Sequence, residues 1–136
     1  HREVLQSITD SIDLFMCDIK HLDSAKHKAL TGVDNAIILD NIRYLAEIHK
    51  TVIVRVPGIP GFNDDKKMIE SIGMFVKTMK SIQQIDLLPY NTGGKTKSGR
   101  LGYEYKMNHI QEPDDLHIQV LADSLKNMGF VVQVGG

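Results

Sequence analysis

Apolar residues recur at three- and four-residue intervals in three parts of the chain, and short apolar runs lie before, between and after them. Ile38, Ile42, Leu45 and Ala46, joined by Leu39, form one stripe between Asn35 and Lys50, with Arg43, Glu47 and Lys50 off it. That spacing predicts an amphipathic helix. Ile69, Ile72, Val76 and Met79, with Phe75 beside them, form a second stripe behind Asp64 and Asp65, either of which can cap the helix. Ile118, Leu121, Ala122, Leu125 and Met128 form a third. Pro113 at its first helical position and Asp114 and Asp115 in its first turn mark the start, and Gly129 marks the end. Val4, Leu5 and Ile8 read as the last turns of another helix, His1 to Thr9, packed on the strand that follows a turn at Asp10 and Ser11.

The intervening runs are of strand type. Asp13 to Lys20 is apolar at successive positions, the pattern of a buried parallel strand. Thr51 to Pro57 is rich in β-branched residues, Gln84 to Tyr90 is a third strand, and Phe130 to Val134 is a short last one. Strands alternating with helices through short connections imply right-handed crossovers and a parallel sheet, hence an α/β fold. His21 to Asn35 is polar and mixed, with Asp23 or Ser24 capping a short helical turn and Thr31-Gly32 breaking it. His21 and His27, six residues apart, do not share a helical face and read as solvated loop residues; His109 and His117 read as surface residues. Met68, Met74 and Met79 read as core or gap-filling.

Length and composition narrow the class. At 136 residues the chain, 1–136, is one domain at most. A closed α/β barrel usually takes about 250 residues. It begins with His1 rather than Met and in helix-like residues, which suggests a fragment. The net charge is −1, with Lys and Arg spread along the chain, so no nucleic-acid footprint and no polybasic membrane patch is indicated. No apolar run approaches a membrane span. Cys17 is the only cysteine, which excludes a disulfide framework and a thiolate-bound cluster held by this chain alone. A cytoplasmic location is the default for such a chain.

The chemistry gathers at the strand ends. Asp18 and Lys20 lie two residues apart at the carboxyl end of the first strand, so both point to one face, where parallel sheets bind ligands. An ordinary salt-bridged strand end would show the same pair. Arg55 sits inside an otherwise apolar strand and needs an anion, either a ligand or a carboxylate of the protein itself. Gly58-Ile59-Pro60-Gly61-Phe62-Asn63-Asp64-Asp65 follows as a stiff loop, with prolines in place of the amide donors a phosphate cradle would need. The third strand ends in Tyr90-Asn91 and opens into a long polar segment, Asn91 to Met107, of the kind that is usually functional. Its Gly93-Gly94-Lys95 is not followed by Ser or Thr on a helix and resembles a phosphate loop only superficially.

Taken in order, Asp18-Ile19-Lys20, Thr31-Gly32, Arg55-Val56-Pro57, Ile59-Pro60-Gly61-Phe62-Asn63-Asp64, Leu87-Leu88-Pro89-Tyr90 and Leu101-Gly102-Tyr103-Glu104-Tyr105 resemble the C-terminal half of the glycyl-radical enzyme activating proteins. The best-known member of that family activates pyruvate formate-lyase. The resemblance implies the C-terminal half of a partial parallel β/α, TIM-like radical SAM barrel: its last three strands plus a C-terminal extension. It implies S-adenosyl-L-methionine and a 4Fe-4S cluster as cofactors, the cluster held by a cysteine motif that this chain lacks. It implies a radical SAM oxidoreductase that removes hydrogen from a glycine of its partner, a glycyl-radical enzyme of formate acetyltransferase type, with an electron donor such as flavodoxin. Carried over by position, Asp18, Lys20 and Arg55 contact S-adenosylmethionine, and Asn91 stands where the family usually has His. Asn can donate and accept hydrogen bonds but cannot take a proton as imidazole does.

The isolated chain is then expected to be inactive, and to self-associate through the open edge of its first strand. A non-catalytic binding or scaffold module retaining the half-barrel is the alternative. A β/α-barrel enzyme acting on a phosphorylated metabolite through Gly93-Gly94-Lys95 ranks last, since no acid/base pair stands near that loop.

Overall fold

The computed structural model describes residues 2–91, 102 and 109–135. In chain order these form α1 (Arg2–Ile8), a 3-10 turn (Thr9–Ser11), β1 (Leu14–Asp18), α2 (Ser24–Thr31), α3 (Ala36–Glu47), β2 (Thr51–Gly58), α4 (Lys66–Lys77), β3 (Gln84–Pro89), α5 (Asp115–Asn127) and β4 (Val131–Val134). All described strands are parallel, in the order β1-β2-β3-β4. The fold is therefore α/β with a four-stranded parallel sheet. The last strand joins the sheet beside β3, so the sheet extends one strand past the three strand ends that carry the motifs.

The apolar stripes define which face of the sheet is covered. Ile42, Leu45, Ile69, Ile72, Val76, Leu121 and Leu125 from α3, α4 and α5 meet Phe15, Val52, Val54, Val56, Ile85 and Leu87 from the sheet in one core. On the opposite face Leu14 remains 40 % and Met16 56 % exposed. The expectation of a strand buried on both sides is thus wrong for β1. It lies at a sheet edge, and α3, α4 and α5 cover only one face. The successive apolar residues that suggested full burial are shared between a helix-packed face and an open one.

Local signals explain most boundaries. Asp23 Oδ1 accepts from the Lys26 N–H at 3.0 Å and caps α2, and Gly32, at φ 83°, ends it by donating to Lys28 O at 2.8 Å. Asp65 caps α4 through the Met68 N–H, and Asp114 caps α5 through the His117 N–H. Pro113 precedes that cap instead of opening the helix. Gly73 of α4 faces Met128 and Leu125, and a Cβ there would stand 2.8 Å from Met128 Sδ, so the flexible end of Met128 occupies the space a side chain would take.

Several single-residue expectations change. Leu5 alone of α1's apolar residues packs against the core, since Val4 and Ile8 stay exposed. Met68 and Met79 contribute to the core, but Met74 is exposed. His21 and His27 are buried, not solvated, at 1 % and 2 % exposure. The Gly93-Gly94-Lys95 and Asn91 to Met107 readings, Asn91 and Gly102 apart, lie outside the described residues.

Candidate functional site

Asp18, Lys20 and Arg55 come together on the uncovered face, at the carboxyl end of β1 and beside it in β2. Register places Asp18 beside Arg55, and the ladder continues one residue further through the Ile19 N–H to Arg55 O at 2.9 Å. Arg55 donates from Nε at 2.9 Å and from Nη2 at 2.8 Å to the same oxygen, Asp18 Oδ1. Lys20 Nζ donates to the other oxygen, Oδ2, at 3.2 Å. The anion that Arg55 requires is thus Asp18. The three side chains are 28 to 37 % exposed, so water and a ligand reach them. Two cations share one carboxylate, which leaves N–H donors uncommitted. Such a cluster suits a ligand that carries a carboxylate together with groups able to hydrogen-bond.

The strand end that carries Asp18 and Lys20 is held by two buried carboxamides. Asn63, fully buried in the β2–α4 loop, donates to Lys20 O at 2.6 Å and Pro57 O at 2.8 Å, and its Oδ1 accepts from the Ile59 N–H at 2.6 Å. Asn35, at the N-terminus of α3, donates to His21 O at 2.8 Å and Leu22 O at 2.7 Å. Three consecutive carbonyls, those of Lys20, His21 and Leu22, are thereby fixed. The His21 ring closes the arrangement: Nδ1 accepts from the Asp23 N–H at 2.9 Å, and Phe62 packs against it edge-on at 5.3 Å. Because Nδ1 is an acceptor, the neutral ring carries its proton on Nε2, which has no partner among the described residues. Burial pushes the His21 pKa down, Lys26 and His27 add to that, and Asp23 and Asp65 oppose it. Burial pushes the Cys17 thiol up, and its strand position places it on the helix-covered side beside Val54.

Sequence reasoning missed Asp86 and the two asparagines. Asp86 of β3 is in register with Arg55, on the same uncovered face, and is 7 % exposed. An isolated charge in an apolar strand is the signal that singled out Arg55, and it applies equally to Asp86. Asn91 follows the end of β3 by two residues. It lines a cleft of about 430 Å³ with Tyr90, Glu112, Pro113, Ile118 and Val134, between the end of β3 and the start of α5. A second cleft of about 590 Å³ runs past Asp64, His109, Glu112, Asp114 and His117. In it His117 Nε2 stands 2.8 Å from Asp64 O and 3.1 Å from Asp64 Oδ2.

No family model matches the chain. It is 38 % identical over 135 residues to the 4-hydroxyphenylacetate decarboxylase activating enzyme of Clostridioides difficile strain 630, covering 98 % of this chain and 42 % of that protein. It is 34 % identical over 136 residues to the choline trimethylamine-lyase activating enzyme of Oleidesulfovibrio alaskensis, covering 98 % and 44 %. A solved domain of a pyruvate-formate lyase-activating enzyme from Bacteroides vulgatus superposes with a TM-score of 0.81 at 27 % identity, covering all of this chain and 75 % of that domain. The chain is homologous to the glycyl-radical enzyme activating enzymes. This activating-enzyme homologue spans less than half the length of the two curated relatives named. The family resemblance carried by its strand ends, and the α/β fold expected from them, are both borne out.

Proposed function

We propose that this chain is the C-terminal part of an S-adenosylmethionine-dependent activating enzyme and that Asp18, Lys20 and Arg55 are its contribution to the cofactor site. The observation that carries this reading is the convergence of three charged side chains, from the end of β1 and from the adjacent β2, on the one sheet face that α3, α4 and α5 leave open. The group fits them: Arg55 and Lys20 offer N–H donors to its carboxylate, and Asp18 offers oxygens to its hydroxyls. Asn91, at the third strand end, is a further contact from the neighbouring cleft. In the assembled enzyme S-adenosylmethionine supplies the hydrogen-abstracting chemistry directed at a glycine of the partner, and the residues named here bind and orient it.

The 4Fe-4S cluster does not fit this chain. Cys17 is its only cysteine, and among the described residues no group of three or more His, Cys, Asp or Glu side chains could hold a metal ion. The cluster's ligands belong to another part of the protein, so the isolated chain is inactive as an oxidoreductase. Its partner is a glycyl-radical enzyme of the kind that its relatives' names specify, and its electron donor is a flavodoxin-type protein. Its location is the cytoplasm; no described helix is long and apolar enough to cross a membrane. The edge of β1, unpaired among the described residues, makes the isolated chain self-associate.

Chemical-shift mapping with S-adenosylmethionine on the whole chain tests the site. Perturbations centred on Asp18 to Leu22 and Arg55 are expected, and shifts confined to the clefts around α5 would refute the assignment. The scaffold reading draws on one fact, that the carboxylate of Asp18 pairs with both cations within the chain itself. Absence of any nucleoside binding would favour it.

A further inference from the structure

Three strands place a charged residue at one level of the open face: Asp18, Arg55 and Asp86 are in register across β1, β2 and β3. The outer two are anions, yet the guanidinium between them is bonded to only one. Arg55 commits Nε and Nη2 to a single oxygen, Asp18 Oδ1, and leaves Nη1 without a described partner. Asp86 is in the opposite position. It is 7 % exposed, and its Oδ1 accepts one hydrogen bond, from Gln84 Nε2 at 2.8 Å, while no described donor reaches Oδ2. A carboxylate this buried with one neutral donor is poorly compensated and calls for a cation. Adjacent strands lie about 4.8 Å apart, a span that the arginine side chain bridges to either side.

We propose that Asp86 is a positioning residue for Arg55, a second carboxylate that holds the guanidinium over the site when Asp18 is engaged elsewhere. Its consequence for cofactor binding rests on the proposed function. A ligand whose hydroxyl or ammonium groups bond to Asp18 competes with Arg55 for the same oxygens. Without Asp86 the arginine would swing toward water at that moment. With it, the uncommitted Nη1 edge turns to Oδ2, and the guanidinium stays aligned to receive an anionic group of the ligand. Asp86 touches no ligand in this arrangement and acts through Arg55.

The test reads the Arg55 Nε–Hε resonance in the whole chain, as wild type, Asp18→Ala, Asp86→Asn and the double variant. Asp86→Asn is isosteric and keeps the acceptor for Gln84, and circular dichroism verifies the fold of each variant. The expected result is a protected Arg55 signal in wild type, in Asp86→Asn and in Asp18→Ala, lost to fast solvent exchange only in the double variant. Asp86→Glu in the Asp18→Ala background keeps the signal, because it keeps the anion. Loss of the signal in Asp18→Ala alone, or its survival in the double variant, overturns the proposal. A second arm titrates S-adenosylmethionine, where Asp86→Asn is expected to weaken binding about tenfold. Wild-type affinity in that variant would also count against Asp86. If wild type binds no S-adenosylmethionine, the cofactor reading fails, while the resonance arm, which needs no ligand, still decides the role of Asp86.

Discussion

Replacing Asn63 by Ala removes the clamp between the ends of β1 and β2. Three backbone groups lose their partner: the Ile59 N–H and the carbonyls of Lys20 and Pro57. A buried group left unsatisfied costs about 1–3 kcal/mol. Lys20, Pro57 and Ile59 are all only half-buried, so water can reach part of what is lost, and the lower figure applies. The sum is about 3 kcal/mol, a large share of the roughly 5–15 kcal/mol that holds a domain of this size together. With a urea slope of about 2 kcal/mol per molar, the unfolding midpoint falls by about 1.5 M with the slope unchanged. Asn63→Asp is the informative companion. It keeps the acceptor for Ile59 but sets an anion against two carbonyl oxygens, so it should destabilise at least as much as Ala. A loss under about 1 kcal/mol for Ala, or an Asp variant as stable as wild type, would refute the clamp.

Other variants test neighbouring parts of the account. Asp18→Asn should change stability by less than about 1 kcal/mol in urea unfolding, since both its partners stay about a third exposed and water replaces the pairing. Stability should decline as pH falls through the ordinary histidine range near 6.5, because the unfolded chain takes the proton that buried His21 resists. The decline stops once pH reaches the lower folded value, stability is full above the ordinary range, and urea midpoints from pH 7.5 to 5 in wild type and His21→Asn should differ in slope. Gly73→Ala should be nearly neutral in thermal unfolding, because a small shift of the flexible Met128 end offsets the gain in helix propensity. Gly73→Val forces α4 from α5 and should cost about 1–3 kcal/mol.

The fold was legible wherever periodicity and burial coincide. Ile42, Leu45, Ile69, Ile72, Val76, Leu121 and Leu125 are the helical stripes read from spacing, and they are the core. Val52, Val54 and Val56 turn one face of β2 to it and leave Arg55 on the other, as alternation requires. The fate of β1 was not legible, because an apolar run does not reveal that one of its faces lacks a covering layer. His21 and His27 were misread for a related reason. Their burial depends on partners distant in space or on the closed turn itself, such as Phe62 against His21 and the Val33 carbonyl for His27 Nδ1. Asp18, Lys20 and Arg55 were identified from charge at strand ends, and the structure brings them within hydrogen-bonding distance of one another through Asp18. Asn91 was grouped with them because its strand also ends there, and it lines the cleft between the end of β3 and the start of α5. Asn63 and Asn35 carry no charge and follow no period, so only their bonds to carbonyls distant in sequence reveal them.

The claim that matters most is that the cluster on the open face binds S-adenosylmethionine. Calorimetric titration of the whole chain tests it directly, in wild type and in Lys20→Ala and Arg55→Ala. The expected result is saturable binding at about millimolar ligand for this part of the site, about −4 kcal/mol, abolished or weakened at least tenfold by either substitution. Equal binding in all three proteins, or none in wild type, would contradict it.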